Sequence, residues 1–357
     1  MQSSSMLDIW ASDIAAVAEC DLPWHEFSGG RVLVTGASGF LGGYLARFLL
    51  SLHRLGKVDQ PVHVVALVRN AARSRSRLSD IVDDPNLSLV EWDLNAFAVP
   101  DVGTCRYAIH AASQASPRFY GTDPLGTLLP NAVGTGALLQ ALHRESPDLK
   151  GFLFVSSSEV YGSISGDTAL SETGYGIIDP ATLRACYAES KRLGETLCVA
   201  WTHQHNTPTY IVRPFHTYGP GLQENDGRVF ADFVFNVLHN ENIVMNSDGL
   251  ARRAFCYASD AIAGFMTVLL KGKPATPYNV ANPDGELSVR ELADLLVALR
   301  PEKRLRVECR VPDQGNAYLA STFNRLVPDV SRLTALGWAP HILPRQGFSR
   351  MLEAYTA

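Results

Sequence analysis

TGASGFLGG (Thr35–Gly43) follows directly on the apolar triplet Val32, Leu33 and Val34, and it leads into an apolar segment of helical length, Tyr44 to Leu52. Strand, tight glycine turn and helix start in succession form the setting that a dinucleotide fingerprint requires. The spacing of Gly36, Gly39 and Gly42 lets the backbone turn sharply, lets a pyrophosphate approach, and lets the helix pack close to its strand. The helix start, with Phe40 and Leu41, then turns unpaired N–H groups and a partial positive charge toward the phosphates. Two later segments give the turn its weight: VSSSEVYG (Val155–Gly162), and the pair Tyr187 and Lys191 in YAESK.

Around this stretch, apolar runs of strand length alternate with helical segments. The expected strands are 31–34, 63–68, 87–92, 107–110, 152–155 and 209–212. The prominent expected helices are 128–144 and 187–205. Such alternation predicts an α/β fold, a doubly wound parallel sheet of Rossmann type. Beyond Arg213 the elements shorten and Gly and Pro punctuate the chain, which predicts a smaller C-terminal lobe for the substrate. The expected division is a docked helical extension over 1–27, a dinucleotide-binding domain over 28–216, and a substrate-binding lobe over 217–357 that returns some segments to the sheet.

Composition narrows the function classes. The 357 residues are 46% hydrophobic and 19% charged with a formal net charge of −5. No general basic field argues for nucleic acid, and no apolar run approaches the roughly 20 residues of a membrane span. The first 20 residues carry acids where a secretory signal has a basic flank. Six cysteines lie scattered without a C-x-x-C pair, the pattern of reduced thiols in a cytoplasmic protein with neither metal site nor disulfide framework.

Tyr187 and Lys191 stand one helical turn apart and project from one face. A free phenol titrates near ~10, and an ammonium one turn away favours the phenolate, which suits Tyr187 to act as a general base. The same ammonium can bond a nicotinamide ribose. Ser156, Ser157 and Ser158 follow a strand end, where ligands bind in such sheets; one of them can hydrogen-bond the substrate oxygen whose charge changes during hydride transfer, and the residues alone do not rank the three. After the second strand, Arg69 stands where an acid usually holds the NAD ribose. It either pairs with the 2′-phosphate of NADP or stacks on adenine, with Asp93 after the third strand placed to bond the adenine amino group.

Further segments carry a resemblance: HAASQASPRFY (His110–Tyr120), RACYAESKR (Arg184–Arg192), FHTYGP (Phe215–Pro220), NDGRVFADF (Asn225–Phe233), RRAFCYASD (Arg252–Asp260) and LGWAP (Leu336–Pro340). With the glycine turn and SSSEVYG, they resemble the extended short-chain dehydrogenase/reductases of the NAD-dependent epimerase/dehydratase family. Within it they are most similar to the UDP-glucuronate decarboxylases. The resemblance implies Ser157, Tyr187 and Lys191 as the catalytic set, joined by Ser158 and Glu159. It implies Gly36, Gly39, Phe40, Leu41, Gly42, Arg69, Asp93, Leu94, Ala111 and Lys191 around the cofactor, and Tyr120, His216, Arg228, Arg253 and Arg325 around the substrate. It favours NAD, while Arg69 leaves NADP open.

The implied chemistry is transient oxidation at C4 of a nucleotide sugar, followed by decarboxylation, with 4-epimerisation or 4,6-dehydration as alternatives. A non-catalytic dinucleotide sensor on the same fold would not need the Ser/Tyr/Lys set. Three departures stand out. His216 replaces an Asn, Ser190 replaces the glycine before the catalytic lysine, and the acid after the second strand is missing. The resemblance also implies a homodimer through a four-helix bundle, to which Leu138, Leu139, Leu142, Leu197 and Val199 would contribute. No metal, nucleic acid or membrane partner is expected.

Overall fold

A computed structural model describes residues 3–96, 98–164, 169–310, 325 and 327–356. Its first half reads out the alternation of the sequence. Helix α1 (Ser4–Ala18) precedes β1 (Arg31–Thr35), α2 (Phe40–Ser51), β2 (His63–Val68), α3 (Ala71–Arg77), β3 (Leu87–Glu91) and β4 (Tyr107–His110). Then come α4 (Arg118–Thr122), α5 (Pro124–Leu129), α6 (Thr135–Glu145), β5 (Gly151–Val155), α7 (Ala185–His205) and β6 (Thr209–Pro214). The remainder comprises β7 (His216–Tyr218), α8 (Val229–Leu238), β8 (Ile243–Met245), β9 (Arg252–Tyr257), α9 (Ala258–Lys271), β10 (Pro277–Val280), β11 (Glu286–Ser288), α10 (Val289–Ala298), β12 (Val307–Cys309), α11 (Ser331–Thr334) and α12 (Pro344–Tyr355).

Seven strands form one parallel sheet in the order β10-β6-β5-β4-β1-β2-β3. The chain winds outward from β1 to β3 and then crosses back to β4, so the strand order reverses between β1 and β4. A crevice opens there beyond the carboxyl ends of the strands. Side chains alternate across the sheet. Val32 and Val34 join the core beneath α2 and α9, while Leu33 joins Leu138, Leu139 and Leu142 of α6 on the other face. A third core around Phe230, Val234, Phe255 and Phe348 holds the C-terminal elements together. It packs against the two small sheets, β11-β9-β7 and β12-β8.

The helix expected over 128–144 starts earlier and is interrupted. Asp123 caps α5, its carboxylate accepting from the Gly126 N–H at 3.1 Å. A wide π turn (Pro130–Gly134) then joins α5 to α6. Pro130 has no N–H for a regular helical bond, and the wider turn accommodates it. In that turn Asn131 donates to the Thr127 carbonyl (2.9 Å) and to Ser190 Oγ (3.1 Å), which pins the turn against α7.

Helix α1 lies on α2, α9 and α12. Its Asp13 is fully buried. The carboxylate accepts from the Tyr44 hydroxyl of α2 (2.6 Å), the Tyr257 hydroxyl of β9 (2.8 Å) and Arg350 Nη1 of α12 (2.5 Å). One acid on the first helix therefore joins the nucleotide-side helix α2 to two elements of the C-terminal part. Ser3 Oγ adds a bond to the Ala354 carbonyl at 2.7 Å.

Candidate active site

The glycine turn has the shape of a cradle. Gly36 adopts φ +67°, and a Cβ there would lie 2.8 Å from Ala112 Cα at the end of β4. A Cβ on Gly42 would lie 2.2 Å from the Gly36 carbonyl oxygen, so a side chain would force α2 off its strand. No side chain caps the start of α2 at Gly39, which leaves the first-turn N–H groups of a helix N-terminus available to an anion. These features fit a dinucleotide pyrophosphate. Behind the turn, Thr35 Oγ1 accepts from the Ala112 N–H (3.0 Å) and meets His110 Nδ1 (2.7 Å), whose Nε2 meets Thr135 Oγ1 (3.0 Å). Burial pushes His110 down to about 3, so this chain of bonds stays neutral. Ala111 follows β4 directly and is half-buried. Arg69 and Asp93 sit exposed at the ends of β2 and β3, Asp93 accepting from Asn95, while Leu94 is buried against Gly134.

At the end of β5 the three serines separate. Ser156 turns beneath α7 and donates to Glu195 Oε1 at 2.5 Å. Ser158 opens a short 3-10 turn (Ser158–Tyr161). Ser157 Oγ caps that turn, accepting from the Glu159 N–H at 3.1 Å, and its hydroxyl bonds the Tyr187 phenol. Tyr187 is 5% exposed. Burial drives its phenol up to about 12 against the opposing pull of Ser157, Arg228 and Ser113. Lys191 donates to the Val155 carbonyl at 2.7 Å and lies over the Phe154 ring at 4.9 Å. Burial brings it down to about 7 although Glu195 favours its charge. In this structure Ser157, Ser113 and Arg228 oppose the effect of burial on the phenol, and Lys191 Nζ lies 5.8 Å over the Tyr187 ring while it donates to β5.

Two ion pairs lie outside the sequence-based expectation. Glu195 accepts from Arg213 Nε (2.8 Å) and Nη2 (2.6 Å), a buried pair beneath Lys191. Arg184 Nη2 donates to Glu159 Oε1 at 3.0 Å and forms an ion pair with Oε2 at 2.9 Å. The legible signals are small: Glu195 lies one helical turn beyond Lys191, and Arg184 three residues before Tyr187 on the same face. Neither spacing names a partner on another element.

The residues expected around the substrate fall into two groups. Tyr120 stacks on Tyr187 with ring centroids 5.3 Å apart and bonds the Ala115 carbonyl through its hydroxyl (3.1 Å). His216, on β7, is pushed down to about 3 by burial and by the charges of Arg253 and Arg228, and its Nδ1 is shielded without a hydrogen-bond partner. Arg228 is held by Asp226 at 2.5 and 2.9 Å, and Arg253 Nη1 donates to the Arg252 carbonyl at 2.7 Å. Arg325 lies further out, paired with Glu286 at 2.7 and 3.1 Å. Among the described residues, no group of three or more His, Cys, Asp or Glu is arranged to hold a metal ion, and no helix is long and apolar enough to cross a membrane.

Comparison with known proteins converges on this arrangement. The chain is 31% identical over 332 residues to UDP-glucuronic acid decarboxylase 6 of Arabidopsis thaliana, spanning 92% of this chain and 89% of that one. Its fold is shared with a UDP-glucuronic acid 4-epimerase of Bacillus cereus, solved with UDP-glucuronic acid and NAD (TM-score 0.73, 22% identity, 91% and 98% of the two chains). A dTDP-glucose 4,6-dehydratase of Streptomyces venezuelae, solved with NAD, gives a TM-score of 0.75 at 24% identity over 91% and 96%. The sequence model of the NAD dependent epimerase/dehydratase family matches residues 32–281. From the glycine turn through the Ser/Tyr/Lys cluster to β10, this chain belongs to the NAD dependent epimerase/dehydratase family.

Proposed function

We propose that the protein is a nucleotide-sugar decarboxylase acting on UDP-glucuronate through transient oxidation at C4. The observation that carries this reading is its similarity, over nearly its whole length, to UDP-glucuronic acid decarboxylases. Bonded Ser157 and Tyr187, with Lys191 one turn on, supply the chemistry beside the glycine turn.

NAD, held by the Gly36–Gly42 turn, Ala111, Leu94 and Lys191, supplies a reversible hydride acceptor for the sugar's C4. Tyr187 takes the proton of the C4 hydroxyl, and Ser157 fixes that oxygen by hydrogen bonding. The 4-ketone stands β to the C6 carboxylate, so carbon dioxide leaves as the C5–C6 electron pair moves into an enolate. Tyr187, now protonated, and Ser157 donate to the enolate oxygen; a proton from solvent adds at C5 to restore the 4-ketone, and C4 is re-reduced by the hydride it gave up while Tyr187 returns its proton to O4, which leaves carbon dioxide and the pentose nucleotide as products. Glu159 and Ser158 line the C5–C6 end of the sugar. Arg228, Arg253 and His216 serve the diphosphate end, and a guanidinium fork suits that group. Arg325 assists from the rim. Arg69 lies near Arg73 and Arg77, all three at the edge where the adenosine ribose is expected, so NADP is admitted alongside NAD. The dinucleotide released on denaturation identifies the resident form.

Of the apolar residues assigned to a dimer, Leu138, Leu139 and Leu142 face the chain's own sheet. Val199, with Leu193 and Leu125, remains exposed on α7 and α5. A homodimer would pair these surfaces, and light scattering at micromolar concentration tests it.

The function itself is tested by incubating the purified protein with a panel of nucleotide sugars and weighing the products. Loss of the mass of carbon dioxide from UDP-glucuronate is expected. Loss of water from a neutral hexose nucleotide, or an isomer of unchanged mass, would replace this reading with the dehydratase or epimerase one.

A further inference from the structure

We propose that the loop after β7, propped by Trp10 of α1 and latched by Gln223 to Arg77, is a clasp over the glycine turn that keeps the nicotinamide dinucleotide bound through the redox cycle, an inference that rests on the transient-oxidation reading. Trp10 is 5% exposed, and its indole Nε1 donates to the Pro220 carbonyl at 3.3 Å. Gly221 adopts φ +92°, and a Cβ there would lie 3.0 Å from the Trp10 ring and 3.9 Å from Phe40, the first residue of α2. The Tyr355 hydroxyl of α12 donates to the Leu222 carbonyl. Gln223 Oε1 then accepts from Arg77 Nη2 at 2.8 Å, and Nη1 of the same guanidinium donates to the Ser38 carbonyl inside the glycine turn at 3.4 Å. Arg47 of α2 closes the circuit. Its guanidinium lies 3.9 Å over the Trp10 ring, pairs with Asp80 at 2.7 Å, and donates to the Arg77 carbonyl at 3.1 Å.

This circuit surrounds the start of α2, whose first-turn N–H groups are open to a pyrophosphate. A cavity of about 250 Å³ lies between the loop and the turn, bordered by Ser38, Gly39 and Phe40 on one side and by Gly221, Leu222 and Gln223 on the other. Its ties are unequal. Trp10 and Arg47 are buried, whereas the bond between Arg77 and Gln223 is exposed. The loop can therefore lift by trading one hydrogen bond for water while its prop stays in place. The chemistry supplies the need for such a cover. Oxidation and re-reduction at C4 use the same hydride, so a dinucleotide that leaves between them strands a keto sugar. The acid that ordinarily holds the cofactor's ribose is missing after β2, where Arg69 stands. Retention then falls on contacts elsewhere, and this loop runs from β7, the strand of His216, to the helix that receives the pyrophosphate. Trp10 and Gln223 are positioning residues: they act on how long the dinucleotide stays, through the loop, and not on the reacting carbon.

The test reads release of bound dinucleotide with no sugar present. Full-length protein loaded with fluorescent etheno-NAD is chased with excess NAD, and the release rate is followed by fluorescence; the melting temperature of the stripped protein is measured alongside. Gln223→Ala, at an exposed position, should speed release about 10-fold and leave that melting temperature unchanged. Trp10→Phe, which keeps an aromatic ring and removes the indole donor, should speed release about 3-fold. Because both act on one loop, the double variant should release more slowly than the product of the two effects predicts. During turnover of UDP-glucuronate, Gln223→Ala should lose activity progressively, with reduced dinucleotide appearing in the filtrate, and added NAD should restore it. Release at the wild-type rate from both variants would overturn the proposal. So would faster release that only accompanies a lowered melting temperature, because loosening of the whole fold would then account for it. Should Trp10→Phe fail to fold, Gln223→Ala decides alone by the same two readings. Faster release from the variants of a protein that yields no carbon dioxide from UDP-glucuronate would leave the clasp standing and remove the decarboxylase reading.

Discussion

Helix α7 presents two unlike faces. Toward the sheet, its buried acid is fully engaged: Glu195 takes Ser156 and two nitrogens of Arg213, and Arg213 reaches on to the Glu172 carbonyl (3.0 Å) and the Tyr175 hydroxyl (3.1 Å). Toward the cleft, Ser116 Oγ and His216 Nδ1 stay buried without hydrogen-bond partners. Both faces are polar and shielded, and they differ in whether the chain supplies its own acceptors. A satisfied network fixes one arrangement of the backbone, whereas an unsatisfied one marks where a ligand completes the structure. Lys191 stands between the two, donating to β5 and close to Glu195.

The contrast can be broken most forcefully from the sheet side. Arg213→Leu leaves Glu195 buried without its counter-charge and should cost about 3–5 kcal/mol of stability, read by denaturant unfolding. A loss below about 1 kcal/mol would mean that Ser156 and water suffice to hold Glu195, and the sheet face would lose its role as a rigid support. On the cleft side, Tyr187→Phe should lower turnover at least ~100-fold with an unchanged melting temperature. A melting temperature that falls along with the rate would erase the distinction between the two faces.

A subtler measurement sharpens the position of Lys191. Its folded-state pKa, brought down to about 7, lies below the ordinary lysine value. Between that value and the unfolded one, the unfolded chain binds a proton that the native chain does not. This residue therefore makes stability rise with pH across the window, by up to about 1.4 kcal/mol per pH unit, and its contribution is lost as pH falls toward 7. Lys191→Met should flatten the slope in cofactor-stripped protein between roughly pH 7 and 10. An identical slope in both proteins would place the ammonium in a wetter setting than its burial implies.

The glycine turn, the first six strands and the Tyr187–Lys191 pair are legible in the sequence because each rests on local spacing: a turn that only glycine fits, an apolar run of strand length, one helical turn between two side chains; Ser157 is singled out from its neighbours only by the family resemblance. The rest depends on contacts across the fold. Glu195 reads as one more helical acid until β6 brings Arg213 beneath it. Arg184 reads as a surface charge until the 3-10 turn carries Glu159 to it. The helix expected over 128–144 runs straight through Pro130, and the π turn found there is held by the Asn131 bonds to Thr127 and Ser190. The departure at Ser190 also finds its physical reason here: its hydroxyl bonds the Tyr187 carbonyl (2.8 Å) and receives Asn131, a contact that the glycine of the resembled family cannot make.

The bond between Asp13 and Arg350 has a consequence in time. The two are separated by 337 positions, so at about 5–20 residues per second the ribosome makes the acid tens of seconds before its guanidinium. During that interval Trp10, Ile14 and Val17, which end up buried, lack the last part of their resting place. Helix α1 is therefore made long before it can settle, and nascent chains should be most vulnerable to proteases at α1 until α12 has emerged.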